Sequence, residues 1–407
     1  MKTIACTIAL LAAASSACSS SDVSTTMPPG NEPTGQTSER VVERTDVVSD
    51  EAGAAAQDPT LVNAWGLAFN PTLGSAWVSS TESGLSEVYD ANGAHLIPSV
   101  VIPAADASSD SSPTGQVFNG DSSAFLGDQF IFVTEDGLVV GWQPSDGAAA
   151  MSRVDNSERE AIYKGVTIAR DDMGRPRLFA TDFHGGKIDV FDAAYTPMAP
   201  QGGFADPQIP SGFAPFNIEE LNGALLVTYA MQDEDKEDDV AGKGNGYVDL
   251  FGVDGTLMAH LISQGELNAP WGITMAPASF SAAPNRLLVG NFGDGLIHAY
   301  ELDLSIPGTA SATLDGALRD DAGNALGIDG LWALKFGIDA GGFESDYLYF
   351  TAGPAEETHG VFGRLEPTSL SESTGSGGST GSGGSGGSGA YGGSPGTVGS
   401  GGSSSGY

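Results

Sequence analysis

Between residues 39 and 367 one short unit of sequence recurs six times, so this stretch must fold as an array of similar modules. Each unit opens with an apolar run led by Gly or Pro: 65–69 (WGLAF), 114–118 (TGQVF), 164–168 (KGVTI), 215–218 (PFNI), 271–275 (WGITM) and 332–336 (WALKF). The anchors Gly66, Gly115, Gly165, Pro215, Gly272 and Ala333 stand 49, 50, 50, 57 and 61 residues apart. A second run rich in aromatic and β-branched residues follows each: 76–79, 130–134, 178–181, 225–229, 287–290 and 347–351. A third comes after a Gly-bearing turn, as at 187–191, 247–251, 296–300 and 361–365. Such runs, punctuated by turn residues and lacking a helical period, read as antiparallel strands. Four strands in about 50 residues, six times over, predict an all-β six-bladed β-propeller. The sixth unit supplies only three strands before the sequence turns to Gly and Ser. An N-terminal strand over 40–48 (RVVERTDVV) is therefore expected to complete that blade and close the ring.

The flanks read differently. Met1-Lys2, the apolar run 4–14 and Ser15-Ser16-Ala17-Cys18 have the layout of an export signal over 1–18. Cys18 sits as the lipidated cysteine of a bacterial lipoprotein does, although Ser15 stands where Leu is usual. Ordinary cleavage after Ala17, giving a periplasmic or secreted protein, is the alternative. Residues 19–38 read as a flexible tether and 368–407, almost wholly Gly, Ser and Thr, as a disordered tail. The domain plan is thus signal, linker, propeller over 39–367 and tail. Membrane contact is expected only through the lipidated N-terminus, in the outer membrane or at the surface, and a monomer is expected.

Charge narrows the partners. With 16 Lys and Arg against 52 Asp and Glu the net charge is −36, which excludes phosphate-neutralising roles on nucleic acid and a basic patch for anionic lipid. The two cysteines, Cys6 and Cys18, leave none to cross-link the body.

Six stretches resemble an uncharacterised family of exported bacterial β-propellers, some of whose members carry C-terminal sorting tags of the PEP-CTERM kind. They are 63–69 (NAWGLAF), 134–137 (TEDG), 180–185 (ATDFHG), 244–249 (GNGYVD), 290–295 (GNFGDG) and 350–354 (FTAGP). The resemblance implies the fold and export, and brings no activity; this chain ends in a Gly/Ser tail instead of a tag. More loosely the chain is similar to NHL-repeat propellers and to six-bladed hydrolases of the gluconolactonase type.

In a propeller, the loops from second to third strand and the lead-ins to the first strand lie on one face around the channel. Those positions collect Asn63, Glu135, Asp182, His184, Asn291, Asp294 and Asp329 as an expected ligand face, with Asn119 and Asn268 read as further lead-ins. Oxygen ligands of this kind suit Ca²⁺. The acid-rich loop 233–239 offers a second calcium site through Asp233, Asp235, Asp238, Asp239 and Asn245. Turn chemistry selects Asp, Asn and Gly as well, so both sets also read as turns and solvated loop. Trp65, Trp271 and Trp332 hold matching places in three first strands, either packing between blades or lining the channel mouth.

No paired metal histidines and no nucleophile elbow occur. The first functional reading is a tethered envelope propeller that binds a ligand or envelope protein through its acidic loop face. The alternative is a Ca²⁺-dependent lactonase or esterase using Glu135, Asp182, Asn291 and Asp294, with His184 as base.

Overall fold

The computed structural model describes residues 40–106, 108–304 and 310–368. The export segment with Cys18, the tether and the Gly/Ser tail from residue 369 lie outside the described residues. Six antiparallel sheets form the blades of a six-bladed β-propeller. Their innermost strands are Ala64–Asn70, Pro113–Phe118, Tyr163–Arg170, Phe213–Leu221, Pro270–Met275 and Leu331–Phe336, and define blades I to VI. Blades I to V each continue outward through three further strands in chain order.

Blade VI is completed from the other end of the chain, as the missing fourth strand requires. Val42–Ser49 pairs antiparallel with Val361–Pro367, from Val42 opposite Pro367 to Ser49 opposite Val361, and the short strand Ala56–Gln57 adds in parallel outside it. Closure of this kind covers the edge that Val361–Pro367 would otherwise expose at the seam of the ring.

The strands are apolar on both faces because each blade is sandwiched between two others. All five residues of Phe130–Thr134 are buried, as are all seven of Ala64–Asn70. Between blades I and II, for instance, Trp77 stacks on Phe130 at 3.9 Å between ring centroids, with Trp142 at 4.7 Å. Rings of this kind contribute beyond the area they bury.

Toward the axis four of the six blades converge until only glycine fits, at Gly66, Gly115, Gly165 and Gly272. A Cβ on Gly66 would lie 2.3 Å from the Thr114 carbonyl oxygen of the next blade, and one on Gly272 would lie 2.6 Å from that of Trp332. Every innermost strand also shifts register beside this point, for example between Ala64 and Leu67 and between Leu331 and Leu334. Such bulges re-aim side chains, and here they accompany a cluster of large side chains drawn from non-adjacent blades.

Candidate functional site

That cluster closes one end of the channel. Trp65 of blade I stacks on Trp332 of blade VI at 3.5 Å, and Phe292 stacks on the other side of Trp332 at 4.0 Å. Trp271 of blade V meets both indoles edge-on at 6.2 and 6.0 Å, and Phe216 of blade IV approaches Trp332 at 6.0 Å. The three tryptophans therefore meet across the axis and not merely between neighbouring blades. Asn63 accepts a hydrogen bond from the Trp332 indole at 2.9 Å, whereas the buried indole nitrogens of Trp65 and Trp271 have no protein partner.

In the corresponding place on blade III stands Lys164, 2% exposed, with its ammonium 5.1 Å from the Trp65 ring centroid and 5.9 Å from that of Phe183. It donates to Glu135 of blade II and lies 3.5 Å from Asp238 of blade IV. Burial opposes its charge, but Glu135, Asp238 and Asp239 outweigh burial and hold it above the ordinary lysine value.

Carboxylates outnumber this one cation. Burial, then the Glu135 charge, pushes Glu357 of blade VI up to about 7, against the opposing effects of Asn63 and Lys164. Asn63 donates to Glu357 at 2.5 Å. Burial also pushes Asp239 up to about 7, with Glu357 and Asp238 adding to it and Lys164 opposing, and one of its oxygens is buried without a partner. Burial and the nearby Glu135 raise Glu82 of blade I. Four acids from three blades, Glu135, Asp238, Asp239 and Glu357, thus surround the Lys164 ammonium above a floor of indoles, with Glu82 beside Glu135. Beside them a cavity of about 240 Å³ is lined by Glu135, Asp136, Ser157, Glu160, His184 and Glu237, among others. The far end of the channel is spanned by Lys335 of blade VI, which donates to both oxygens of Glu219 of blade IV at 2.9 Å.

Of the residues singled out from sequence, Asn63 and Glu135 belong to this mouth and His184 to the adjoining cavity, 3.9 Å from Glu160. Asp182 is turned to local work: it accepts from the Gly185 and Ile162 amides and pairs with Lys187 at 2.8 Å. Asn291 and Asp294 bond each other and Asn268, shaping a turn. Asp329 is exposed and accepts from the Ala355 amide. Asn119 is not a lead-in, because it follows its strand; its side chain binds the turn at the opposite end of blade II. The set Glu135, Asp182, Asn291 and Asp294 is therefore divided among separate contacts.

The acid-rich loop is a tight hairpin closed by a bridge from Gln232 to Asp239. Asp233 accepts from the Glu237 amide, Asp235 is exposed, and Asn245 donates to the Val240 carbonyl. Only Asp238 and Asp239 turn toward the channel mouth. Among the described residues, triads of acid and histidine with ligand atoms within 4.8 Å occur elsewhere: Asp58, Glu87 and His95, and Asp206, Asp249 and His260. Sequence reading missed both triads, and Lys164 and Glu82 as well. A lysine in the register position that holds Trp in three other blades was the available signal for Lys164.

No family model matches the chain. Uncharacterized protein R648 of Acanthamoeba polyphaga mimivirus is 30% identical over 336 residues, 78% of this chain and 78% of that protein. Uncharacterized protein L690 of the same virus is 29% identical over 329 residues, 77% and 82% of the two chains. Among solved structures, a glucose dehydrogenase matches 80% of this chain and 100% of its own at 13% identity and a TM-score of 0.48. A putative gluconolactonase matches 82% and 93% at 15% identity and a TM-score of 0.36. Nothing about chemistry follows from structural likenesses this remote. The sequence relatives are viral, whereas the resemblance read from the motifs pointed to exported bacterial propellers. By its identity and coverage, the chain belongs to the family of mimivirus protein R648.

Proposed function

We propose that this propeller is a binding module whose acidic channel mouth takes a cationic group, an amine or guanidinium of a ligand or partner protein, with Ca²⁺ as the inorganic alternative. The carrying observation is the convergence of Glu135, Asp238, Asp239 and Glu357 on Lys164, with Glu82 beside Glu135, and no second lysine or arginine among the described residues pairs with them there. Like charges held together in a half-buried site raise one another's proton affinity, and an arriving cation relieves that repulsion. The indole floor adds a face on which a cation gains further attraction. A lactonase would instead need an open metal with room for substrate beside it. Indoles occupy the axis where such a site would sit, so binding is the reading we prefer.

Calorimetric titration of the full chain with spermine, an oligo-arginine peptide and CaCl₂, at low and high salt, tests this. Saturable binding of at least one of them is expected, weakened by salt and lost when Glu135 and Glu357 are both changed to Gln. No saturable binding of any of the three overturns the proposal. Delivery to a cell envelope through Cys18 belongs to the same proposal. Incorporation of labelled palmitate by the full chain in a bacterial host, abolished by Cys18→Ala, supports that delivery, and no incorporation refutes it.

A further inference from the structure

Away from the channel, on the outer part of blade IV, two buried carboxylates and a histidine meet. Asp249 lies in the third strand, Gly246–Gly252, and is 0% exposed. His260 is its register partner on the fourth strand, Leu257–Ser263. Asp206 reaches them from the connection between blades III and IV, its side chain fully buried. The imidazole Nδ1 lies 2.8 Å from Asp206 Oδ2 and 2.7 Å from Asp249 Oδ1, so one ring nitrogen faces two carboxylates. Nε2 is 2.5 Å from the Ser263 hydroxyl.

The accounting of partners is what sets this triad apart. Asp249 Oδ2 and the Tyr229 hydroxyl, both buried, meet no partner in hydrogen-bond geometry, although the phenol lies beside the Asp249 carboxylate. Among the described residues no lysine or arginine pairs with either carboxylate. Two carboxylates withdrawn from water with one imidazole to share between them are costly.

Blade I supplies an internal control. Its triad of Asp58, Glu87 and His95 holds the same place relative to the third strand, Leu85–Tyr89, but is satisfied by hydrogen bonds. Asp58 accepts from the Thr60 amide and hydroxyl at 2.9 and 2.6 Å, from the Tyr89 hydroxyl at 2.6 Å, and contacts His95 at 2.7 Å. Glu87 accepts from Ser99 and shares the single Thr60 hydroxyl donor with Asp58. Beyond its own members the blade IV triad has the Gln208 amide, which donates to Asp206 Oδ1 at 2.8 Å, and Ser263, which touches the histidine; neither reaches Asp249.

We propose that Asp206, Asp249 and His260 form a binding site for a divalent transition-metal ion of the zinc and manganese class, which pins the connection between blades III and IV. An imidazole with two carboxylates is a donor set that suits these ions better than Ca²⁺ or Mg²⁺, which take oxygen ligands. Ser263 fits the outer partner such a histidine usually has: Nε2–H donates to its hydroxyl, which leaves the Nδ1 lone pair directed at the ion. Ion and carboxylates then cancel in charge, and Asp249 Oδ2 gains a partner.

The test uses the full chain, stripped with chelator and re-equilibrated with Zn²⁺, Mn²⁺, Co²⁺ or Ca²⁺ at 0.5 M NaCl to suppress loose counterions on the acidic surface. Metal retained after gel filtration is then counted. One equivalent of Zn²⁺ or Mn²⁺, with a raised melting temperature, is expected. Co²⁺ should give visible absorption bands that His260→Gln removes. His260→Gln and Asp249→Asn should each weaken retention at least about tenfold, while Asp58→Asn leaves it unchanged. Absence of a retained equivalent of Zn²⁺ or Mn²⁺ in the unmodified chain overturns the proposal, as does retention by His260→Gln equal to that of the unmodified chain. Equal loss in Asp58→Asn would assign the ion to blade I and overturn it too.

Discussion

Replacing Glu357 by Gln should stabilise the protein at alkaline pH and do nothing for it in acid. The amide keeps the size of the side chain, and its oxygen can still accept from Asn63, which donates to Glu357 at 2.5 Å. What it removes is a charge that the folded state resists. The Glu357 carboxyl is pushed from 4.5 up to about 7, by burial first and the Glu135 charge second. Because its folded value exceeds its unfolded value, the folded state holds the extra proton between roughly pH 4.5 and 7, and stability is lost as pH rises through that window. At 1.36 kcal/mol per tenfold change in proton affinity, the loss above pH 7 comes to about 3 kcal/mol. Since the neighbouring acids titrate together and the side chain is partly exposed, that figure is an upper bound. The assay is urea denaturation of both proteins at pH 4.5 and pH 8. A gain of about 1 to 3 kcal/mol at pH 8 and none at pH 4.5 is expected. A gain of equal size at both pH values would show that packing and not charge is at work. No gain at pH 8 would refute the repulsion from which the binding site is argued.

Two further perturbations test the scaffold. Trp332→Ala removes the ring stacked between Trp65 and Phe292 and should cost about 3 to 5 kcal/mol in denaturation, with loss of near-ultraviolet circular dichroism; a cost below about 1 kcal/mol would mean the indoles do not hold the ring. A chain beginning at residue 58 loses the strand paired with Val361–Pro367 and should aggregate or associate through that exposed edge, as read by light scattering. A monomer with an unchanged melt would show that closure by that strand is dispensable.

The fold was legible because a repeat is a property of the chain in one dimension. The turn residues and alternating runs that mark each blade lie within about 50 residues of one another, and the missing fourth strand of the last unit announced its own replacement at residues 40–48. The channel mouth was legible only in part, because it is assembled across the axis. Asn63 meets a glutamate 294 positions away, and Lys164 meets Asp238 74 positions away. Position within the repeat pointed to the end of the ring where Asn63, Glu135 and His184 lie, but no spacing rule tells an acid aimed at the axis from one, like Asp182, that secures its own turn.

The triads were hidden for a different reason, and the repeat explains it. Strand pairing places Glu87, Asp189, Asp249 and His298 at one equivalent position of the third strand in blades I, III, IV and V, each opposite the matching residue of the second strand. Val140 and Gly363 hold that position in the other two blades. An ionisable group in the middle of a strand this deeply packed is costly unless something answers it, and the four blades answer in different ways. Glu87 is met by Thr60 and Ser99, and Asp189 by the Tyr163 hydroxyl at 2.7 Å together with Lys187. His298, 4% exposed, has neither ring nitrogen in a hydrogen bond, and burial holds it below the ordinary histidine value against the opposing charges of Asp294 and Glu266. A neutral imidazole avoids the charge problem; a carboxylate beside a second carboxylate does not. Among the three carboxylates of the series, Asp249 takes its side-chain partner from an imidazole nitrogen that also faces a second carboxylate, Asp206. A metal held by Asp206, Asp249 and His260 would supply at that position what hydrogen bonds supply to Glu87 and Asp189.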